Sequence, residues 1–592
     1  MTTDTTAATR HRVPVRFRGD RAETGPLTHG QLNILAWLRE AGNEAGLAHA
    51  TLEWAFDIPA DIPGGVTVAD VVEVLSALIG RYETLRTTFS GQDKPLQRVA
   101  AAGELMLDVY EAGPDDARDP QELFDEIGDS LRADPYDPET QLPLRVAAVV
   151  SGGLVRAVLA GYSHLAVDRQ AIAVLKREFT RMLRDPAGRR PGPPVHQPLD
   201  QARAEAAPRG RRRAEATLRY FEEQLRRLPQ CLYPAPRPGG PGASVAVELW
   251  SPAAALALPY VAARTRASRS NVVLAAACAV IAQRTGRTRW PFTVLVGNRF
   301  GDRLANYAGT LVQAGLQLAD ADADGFDELV RRVWTSGLLA GRHGMYDVTR
   351  RMELARRIER DRGVAFCFEP FFNNVIIDAR DPGIPGPPPA DRLIDTLPRT
   401  RLRARPMPPT PATVRFDLWE ADRALRLDLW TGDSGRVPEG ELESMLRAVE
   451  RLIVAAAAGD LDRAGMRHLI GLPPIGDGGG RLLLDHCLIE PAEVQRLVDD
   501  ALAPCPARVF PAVDGRELVA FVAATAEGTA HPPGPPGVTS VVQAHDRCMA
   551  ALPGRPTAMT PRHYVLCERT PHDLADPAAW RREGVLDEGP GR

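Results

Sequence analysis

The sequence is almost without lysine, because Lys94 and Lys176 are the only two among 592 residues. Nearly every positive charge is therefore an arginine, and chemistry that depends on a lysine amine has almost no residue to carry it. Cysteine is also sparse, with seven scattered residues and no CxxC pair. This spacing is not that of a disulfide framework or a zinc site, so we predict no metal and a reducing, cytoplasmic location.

Long apolar runs and a surplus of one charge are missing too. The longest apolar run, at 272–282, is too short to span a bilayer and indicates a buried helix. The net charge of −4 leaves no basic surplus for phosphates, and acids interrupt the arginine-rich stretch at 209–219. We therefore predict neither a membrane nor a nucleic-acid partner, and we expect a monomer. Residues 1–22 lack an apolar core and are predicted to be a flexible tail rather than a secretion signal.

Proline- and glycine-rich breaks divide the rest of the chain. The clearest break is GLPPIGDGGG at 471–480, which separates segments of different pattern. Helical and strand patterns alternate between the breaks, which predicts mixed α and β structure. The predicted parts are a lobe at 23–200, a lobe at 201–470, a linker at 471–480 and a small module at 481–592.

Helix and strand patterns can be placed in both halves of the chain, and in each half a strand ends at polar residues. Thr67, with Asp70 three residues later, predicts a capping box at the start of a helix over 67–86. The other predicted elements are a strand at 154–162, helices at 169–183 and 271–284, and strands at 291–297 and 425–430.

The segment LAGYSHLAVDRQAIA places His164 directly after a buried strand and Asp168 four residues later. A neutral imidazole there can accept a proton near pH 7. Arg299 follows the later strand, and its planar guanidinium suits a two-pronged pair with the Asp168 carboxylate. A lone HxxxD also occurs by chance, so the spacing by itself leaves a structural histidine as the alternative.

Several further segments form a pattern together with this one. They are PLTHGQLNILAWL at 26–38, RYETLRTTF at 81–89, DPYDPETQLPLRVAAV at 134–149, SHLAVDR at 163–169, VGNRFGDRLANYAGTLVQ at 296–313 and VRFDLWEADRALRLDLWTGD at 414–433. These segments resemble the motifs of nonribosomal peptide synthetase condensation domains, in the chloramphenicol-acetyltransferase-like superfamily. Their order and spacing agree with the family across residues 25–465.

The resemblance implies an α/β fold of two acetyltransferase-like lobes in a V-shaped pseudodimer, with a small α+β C-terminal domain after them. His164 matches the catalytic histidine, and Asp168 and Arg299 match the family's structural pair. The implied function is that of a stand-alone acyltransferase. It joins an acyl or aminoacyl thioester to a small amine or hydroxyl acceptor. We expect no bound cofactor, and the acyl or peptidyl carrier protein supplies its phosphopantetheine arm in trans.

Two positions depart from the HHxxxDG motif of the family. Ser163 replaces the first histidine and Arg169 replaces the glycine. We assign both to substrate binding, because each would lie beside the reacting centre. Arg169 would narrow the acceptor channel, bind an anionic substrate group or point into solvent. The departures also suit the alternative function, a degenerate condensation-like domain that only docks carrier proteins or partner enzymes.

The module at 481–592 faintly resembles the small C-terminal subdomain of adenylating enzymes, through the segments 514–524 and 555–580. That family's catalytic lysine has no counterpart, since no lysine follows Lys176. We therefore expect a non-catalytic module. Asp485, His486 and Cys487 are interpreted as structural, because adjacent strand residues point to opposite faces.

Arg169 generates a first test. If it binds a carboxylate on the acceptor, Arg169→Gly removes a charge-assisted contact and lowers kcat/KM for acidic acceptors by about 10–100-fold. Neutral acceptors, assayed with the same donor, serve as the control and keep their kcat/KM. Equal losses for acidic and neutral acceptors would refute the assignment.

Overall fold

The structure is a computed structural model of the whole chain. It describes residues 9–41, 51–56, 58–91, 93–111, 120–133, 136–185, 194–232, 242–376, 390–408, 414–475, 480–512, 517–524 and 537–591.

The chain folds into two compact units. The first consists of the described residues within Met1–Thr217, Val296–Gln313 and Gly344–Val348. The second consists of the described residues within Leu218–Leu295, Ala314–His343 and Thr349–Arg592. The first unit extends past the predicted lobe boundary at residue 200, because it continues to Thr217 and the later stretches 296–313 and 344–348 return to it.

The strands in the N-terminal part are β1 Thr9–Arg18, β2 Glu23–Pro26, β3 Thr51–Phe56, β4 Thr87–Ser90, β5 Leu96–Val99, β6 Ala102–Glu111, β7 Leu144–Ser151 and β8 Leu154–Ser163. The helices there are α1 His29–Ala41, α2 Val68–Arg81, α3 Pro120–Ala133, α4 Arg169–Arg184, α5 Pro198–Ala206 and α6 Pro208–Leu225, with a 3-10 turn at Glu83–Arg86.

A five-stranded sheet with the order β1-β6-β7-β8-β3 forms the centre of the first unit. The β6–β7 pair is parallel, and the β1–β6, β7–β8 and β8–β3 pairs are antiparallel. Helices α2 and α4 bury apolar faces in the main core of this unit. Strand β8 therefore leads from the middle of a buried sheet directly to His164.

The prediction of a flexible tail over residues 1–22 is wrong for residues 9–18, which form β1 along β6. Val15 and Phe17 alternate with arginines and are buried in the core. Outward-facing Arg10 and Arg12 pair with Asp108 on β6. The two-residue alternation of apolar and basic side chains is the strand signal that the sequence analysis missed.

The predicted capping box is confirmed at the start of α2. The Thr67 hydroxyl accepts a hydrogen bond from the Asp70 amide at 3.2 Å, and the Asp70 carboxylate accepts one from the Thr67 amide at 3.0 Å. Two orphan donors of the first helical turn are thereby satisfied. The predicted strand at 154–162 and helix at 169–183 are confirmed as β8 and α4, each one residue longer at its C-terminal end.

The strands in the rest of the chain are β9 Val245–Ser251, β10 Arg289–Val296, β11 Gln313–Asp320, β12 Phe371–Asn374, β13 Arg401–Pro406, β14 Arg415–Ala421, β15 Leu425–Thr431, β16 Leu482–Leu484, β17 Cys487–Ile489, β18 Ala507–Pro511, β19 Leu518–Ala523, β20 His563–Cys567 and β21 Val585–Gly589. The helices are α7 Pro252–Thr265, α8 Arg269–Thr285, α9 Asp302–Ala305, α10 Phe326–Arg342, α11 Val348–Arg362, α12 Ala390–Thr396, α13 Glu439–Ala456, α14 Arg463–Ile470, α15 Pro491–Leu502, α16 Val541–Ala551 and α17 Pro577–Arg582, with a 3-10 turn at Leu397–Arg399.

A seven-stranded mixed sheet with the order β11-β10-β12-β14-β15-β9-β13 forms the centre of the second unit. Helix α8, predicted at 271–284, is buried along most of its length. The predicted strands at 291–297 and 425–430 are confirmed as β10 and β15. No described helix in either unit is long and apolar enough to cross a membrane.

Residues 481–592 carry their own four-stranded sheet, β18-β19-β20-β21, but pack into the second unit. Arg362 at the end of α11 donates to the Asp485 carboxylate at 2.8 Å and to the Leu228 carbonyl at 2.8 Å. The buried Gln230 amide donates to the carbonyls of Pro556 and Ala558, both at 2.8 Å. These polar contacts fasten the C-terminal segment to the body of the second unit.

Two short segments of the C-terminal part differ from the sequence interpretation. The start of the predicted linker is fixed along α8, where Arg284 donates to the Pro473 carbonyl at 2.8 Å. Asp485 and His486 both have positive φ, at 43° and 67°, and form the turn between β16 and β17. They are structural, as predicted, but in a tight hairpin turn rather than in a strand.

Arg362 provides a stability test of this packing. Arg362→Ala removes the donor to the carbonyls of Leu225, Leu228 and Asp485 and breaks the ion pair with the Asp485 carboxylate, so we expect a loss on the order of 3 kcal/mol in the free energy of unfolding. Urea denaturation measures it. The control is Arg360→Ala, since Arg360 pairs with Asp546 where both side chains are about half exposed. We expect less than about 1 kcal/mol for that change. Equal losses for the two variants would contradict the analysis.

Candidate active site

His164 lies in a short turn that joins β8 to α4. The Ser163 carbonyl accepts hydrogen bonds from the amides of Ala166 and Val167, at 3.0 and 3.2 Å. Asp168 then caps α4, because its carboxylate accepts from the Ala171 amide at 2.8 Å. The turn therefore fixes the backbone on both sides of the imidazole.

The His164 ring is held in one tautomer. Its Nδ1 atom lies 3.0 Å from the Val167 carbonyl oxygen, which can only accept, so Nδ1 carries the proton in this contact. The Nε2 atom then keeps its lone pair and can accept a proton. Burial lowers the pKa of His164 below its usual value, which keeps the ring neutral at pH 7. The side chain is half-buried rather than sealed in the core.

Asp168 and Arg299 form the predicted ion pair. Arg299 donates from both Nη atoms to the two carboxylate oxygens of Asp168, at 2.7 and 2.8 Å. The amides of Leu311 and Val312 donate to the same carboxylate, at 2.8 and 3.2 Å. Burial raises the pKa of Asp168, but the Arg299 charge and these hydrogen bonds more than offset it, so the pKa lies below the usual value. The carboxylate is therefore ionised and fully partnered.

The segment around Arg299 is shaped by local backbone contacts. Asn298 adopts a positive φ of 55°, a conformation that asparagine tolerates better than most residues. Its buried side-chain amide donates to the carbonyls of Leu311 and Gly344, at 2.9 and 2.7 Å. Arg299 also donates to the Gly309 carbonyl at 2.7 Å. These bonds aim the guanidinium at Asp168.

Ser163 and Arg169 flank the turn. Ser163 is buried and pairs across the sheet with Thr51. The Arg169 guanidinium lies over the Trp54 ring, 4.6 Å from its centroid, and the Lys176 ammonium lies 5.8 Å from the same centroid. One of the three predicted placements of Arg169 was projection into solvent. The structure instead places its guanidinium against Trp54.

The sequence analysis did not single out three residues that contact this corner. The Trp37 ring on α1 meets the His164 ring edge to face, with centroids 6.2 Å apart, and is 37% exposed. The Thr84 hydroxyl and the Thr310 amide both donate to the Ala166 carbonyl, at 2.7 and 3.0 Å. Each lies inside a segment that carried the resemblance, so the motifs meet around one turn.

Solved structures similar to this chain include several condensation domains. One, described as the molecular basis for condensation domain-mediated chain release from the enacyloxin polyketide synthase, has a TM-score of 0.53 and 22% identity, covering 74% of this chain and 84% of that one. The SgcC5 protein from Streptomyces globisporus has a TM-score of 0.53 and 17% identity, covering 73% of this chain and 99% of that one. The X-domain from teicoplanin biosynthesis has a TM-score of 0.53 and 18% identity, covering 74% and 96%.

The fold is thus mixed α/β and is shared with solved condensation domains, as the resemblance implied. The family model of the condensation domain matches residues 47–376, more than half of the chain, and the chain belongs to that family. No curated protein matches the sequence. The matched region ends before the module at 481–592.

The Asp168–Arg299 pair yields a stability test. Both side chains are nearly sealed, with exposed fractions of 4% and 8%. Asp168→Asn leaves the Arg299 charge uncompensated, so we expect a loss of about 3–5 kcal/mol at pH 7 by urea denaturation. Asp302→Asn, an identical change at an exposed position, is the control and shifts stability by less than about 0.5 kcal/mol.

The Asp168–Arg299 pair also determines how the folding stability depends on pH. The folded-state pKa of Asp168 is lowered, so its stabilisation is complete above the unfolded value of about 4 and is lost as the pH falls through the folded value. The difference between wild type and Asp168→Asn therefore shrinks below about pH 4. A difference that grows on acidification would contradict the assignment.

Proposed function

We propose that this protein is a stand-alone condensation enzyme. It transfers an acyl or aminoacyl group from a carrier-bound thioester to an amine, or to a hydroxyl, in nonribosomal peptide or related natural-product biosynthesis. Membership of the condensation family supports the reaction class. The observation that carries the proposal is the His164 ring, which is neutral, half-buried and fixed with Nε2 as its free acceptor.

In this mechanism His164 is the catalytic residue. Nε2 accepts a proton from the acceptor nitrogen or oxygen as that atom attacks the thioester carbonyl carbon. A carbon–nitrogen or carbon–oxygen bond forms, and a tetrahedral intermediate results. The carbon–sulfur bond then breaks, and the imidazolium returns its proton to the departing thiolate. The ring ends neutral, ready for another turnover.

Asp168 and Arg299 are positioning residues in this proposal. Their charges neutralise each other, and the Asp168 oxygens are already occupied by Arg299 and by the amides of Ala171, Leu311 and Val312. The carboxylate therefore has no role as a base. Its role is to anchor α4, and α4 fixes the end of the turn that carries His164.

Side chains around the imidazole supply candidate substrate contacts. The partly exposed Trp37 ring adds a flat apolar surface next to His164. Ser163 and Arg169 flank the same turn and are assigned to substrate binding. The Arg169 guanidinium is charged and lies over the Trp54 ring. A carboxylate on the acceptor would form an ion pair with it.

The partners follow from the reaction. The thioester arrives on the phosphopantetheine arm of an acyl or peptidyl carrier protein acting in trans, so that arm belongs to the substrate and the enzyme needs no cofactor of its own. The acceptor is a small amine or hydroxyl compound. The module at 481–592 has no catalytic part in the transfer, and the enzyme acts as a monomer.

The second candidate function is docking of carriers or partner enzymes without turnover. The replacement of two motif residues by Ser163 and Arg169 favours it. Both candidates predict carrier binding, so only turnover separates them.

The test is a single-turnover assay with a loaded carrier, with the product identified by mass spectrometry. His164→Ala removes the proton acceptor, so we expect the rate to fall by about 10²–10⁴-fold while carrier binding is retained. His572→Ala, at an exposed histidine, is the matched control and leaves the rate unchanged. A rate unaffected by His164→Ala would reject the catalytic assignment, and carrier binding without wild-type turnover would establish docking.

The pH profile is a second readout of the same assay. The lowered pKa of His164 keeps the base neutral. The wild-type rate should therefore decline on the acidic side with a midpoint below the ordinary histidine pKa of about 6.5. An acidic limb above that value would point to a different base.

A further inference from the structure

The seven cysteines divide into two classes by burial. Five are buried, namely Cys278, Cys487, Cys505, Cys548 and Cys567. Cys231 and Cys367 are the two half-buried ones, and they lie next to each other in the second unit. Oxidants in solution reach partly exposed thiols first, so these two are the reactive candidates.

The backbone brings the two thiols together. The Cys367 amide donates to the carbonyl of Gln230, the residue before Cys231, at 3.0 Å. The Cys231 side chain lies close enough to raise the pKa of the Cys367 thiol. Two cysteines on neighbouring chain segments whose side chains interact are the arrangement from which a disulfide can form.

A guanidinium makes the two sulfur atoms unequal. The Arg436 Nη2 atom lies 3.2 Å from the Cys231 sulfur. A positive charge at this distance stabilises a thiolate, which is the nucleophilic form of cysteine. The hydrogen bond to Cys231 and burial raise the pKa of Cys367 well above its usual value, so Cys367 stays a thiol. Cys231 is thus suited to attack, and Cys367 to supply a proton and a second sulfur.

We propose that Cys231 and Cys367 form a reversible redox site, which a peroxide oxidises to an intramolecular disulfide. The site shares no residue with the acyl-transfer mechanism and does not depend on it. It is a modification site in the second unit, with Arg436 as its activating residue.

The reaction balances in two steps. The Cys231 thiolate attacks one peroxide oxygen, and the oxygen–oxygen bond breaks. The products are a sulfenic acid on Cys231 and hydroxide. The hydroxide takes up the proton that Cys231 released and becomes water. The Cys367 sulfur then attacks the sulfenic sulfur. A sulfur–sulfur bond forms, the sulfur–oxygen bond breaks, and the hydroxyl leaves with the Cys367 proton as water. Two thiols lose two electrons, and the peroxide gains them.

The new bond would act where the C-terminal segment is fastened. Gln230, directly before Cys231, holds the carbonyls of Pro556 and Ala558. The Gly363 carbonyl, near Cys367, accepts from the Thr560 amide at 2.8 Å. The disulfide ties together the two chain segments that receive residues 556–560, so oxidation is expected to raise the melting temperature.

The experiment uses the full-length protein and hydrogen peroxide. After oxidation, free thiols are blocked with N-ethylmaleimide and the protein is digested without reductant. We expect a cross-linked peptide containing Cys231 and Cys367, lighter by two hydrogen atoms than the reduced pair. Two of the seven thiols become unavailable to the blocking reagent after denaturation, and dithiothreitol restores both.

Variants separate the two roles. Cys367→Ser leaves the Cys231 sulfenic acid unresolved, so dimedone labels it, whereas Cys231→Ser gives neither dimedone label nor cross-link at this site. Arg436→Gln slows oxidation by about tenfold or more, and Arg436→Lys, which keeps the charge, retains most of the rate. Circular dichroism confirms that each variant is folded.

Three outcomes would overturn the proposal. They are seven reactive thiols after peroxide treatment, a disulfide between other cysteines or between two molecules, and over-oxidation of both thiols without a cross-link. Since no readout involves acyl transfer, the result for the redox site is independent of the result for the proposed function.

Discussion

The ion pair of Asp168 and Arg299 is the interaction on which the candidate site depends. It connects the first turn of α4 to a stretch 131 residues later in the chain, and the backbone amides of Leu311 and Val312 complete the carboxylate's shell. Opposite charges this deeply buried are tolerated only when every polar atom has a partner. The geometry of His164 is thus maintained by a pair that need not touch any reactant.

The sequence predicted the local structure of this corner well. A buried strand, a capping aspartate and an amphipathic helix leave clear periodic signals, so β8 and α4 were placed to within a residue at their ends. The Asp168–Arg299 contact was also predicted, because both residues follow strands and the family pattern links them. Periodicity carries no information on which side chains from distant elements meet, so Trp37 beside His164 and Trp54 beneath Arg169 were missed.

Arg169 shows how the fold accommodates a departure from the family motif. Position 169 is the first residue of α4, where a positive charge opposes the helix dipole. The guanidinium is instead stabilised by the Trp54 ring, which also attracts Lys176 two turns further along the helix. Because this contact lies on the helix side of the turn, the capping bond of Asp168 and the Nδ1 contact of His164 coexist with it.

The hydrogen bonds of Gln230 limit where this chain can be truncated. Its side-chain nitrogen donates hydrogen bonds to two carbonyls more than three hundred positions downstream. Ending the chain at the glycine-rich break would remove those carbonyls and would expose Val364, which is buried in a cluster made mostly of C-terminal side chains. Domain dissection at 471–480, which the composition suggests, would therefore yield an aggregation-prone fragment.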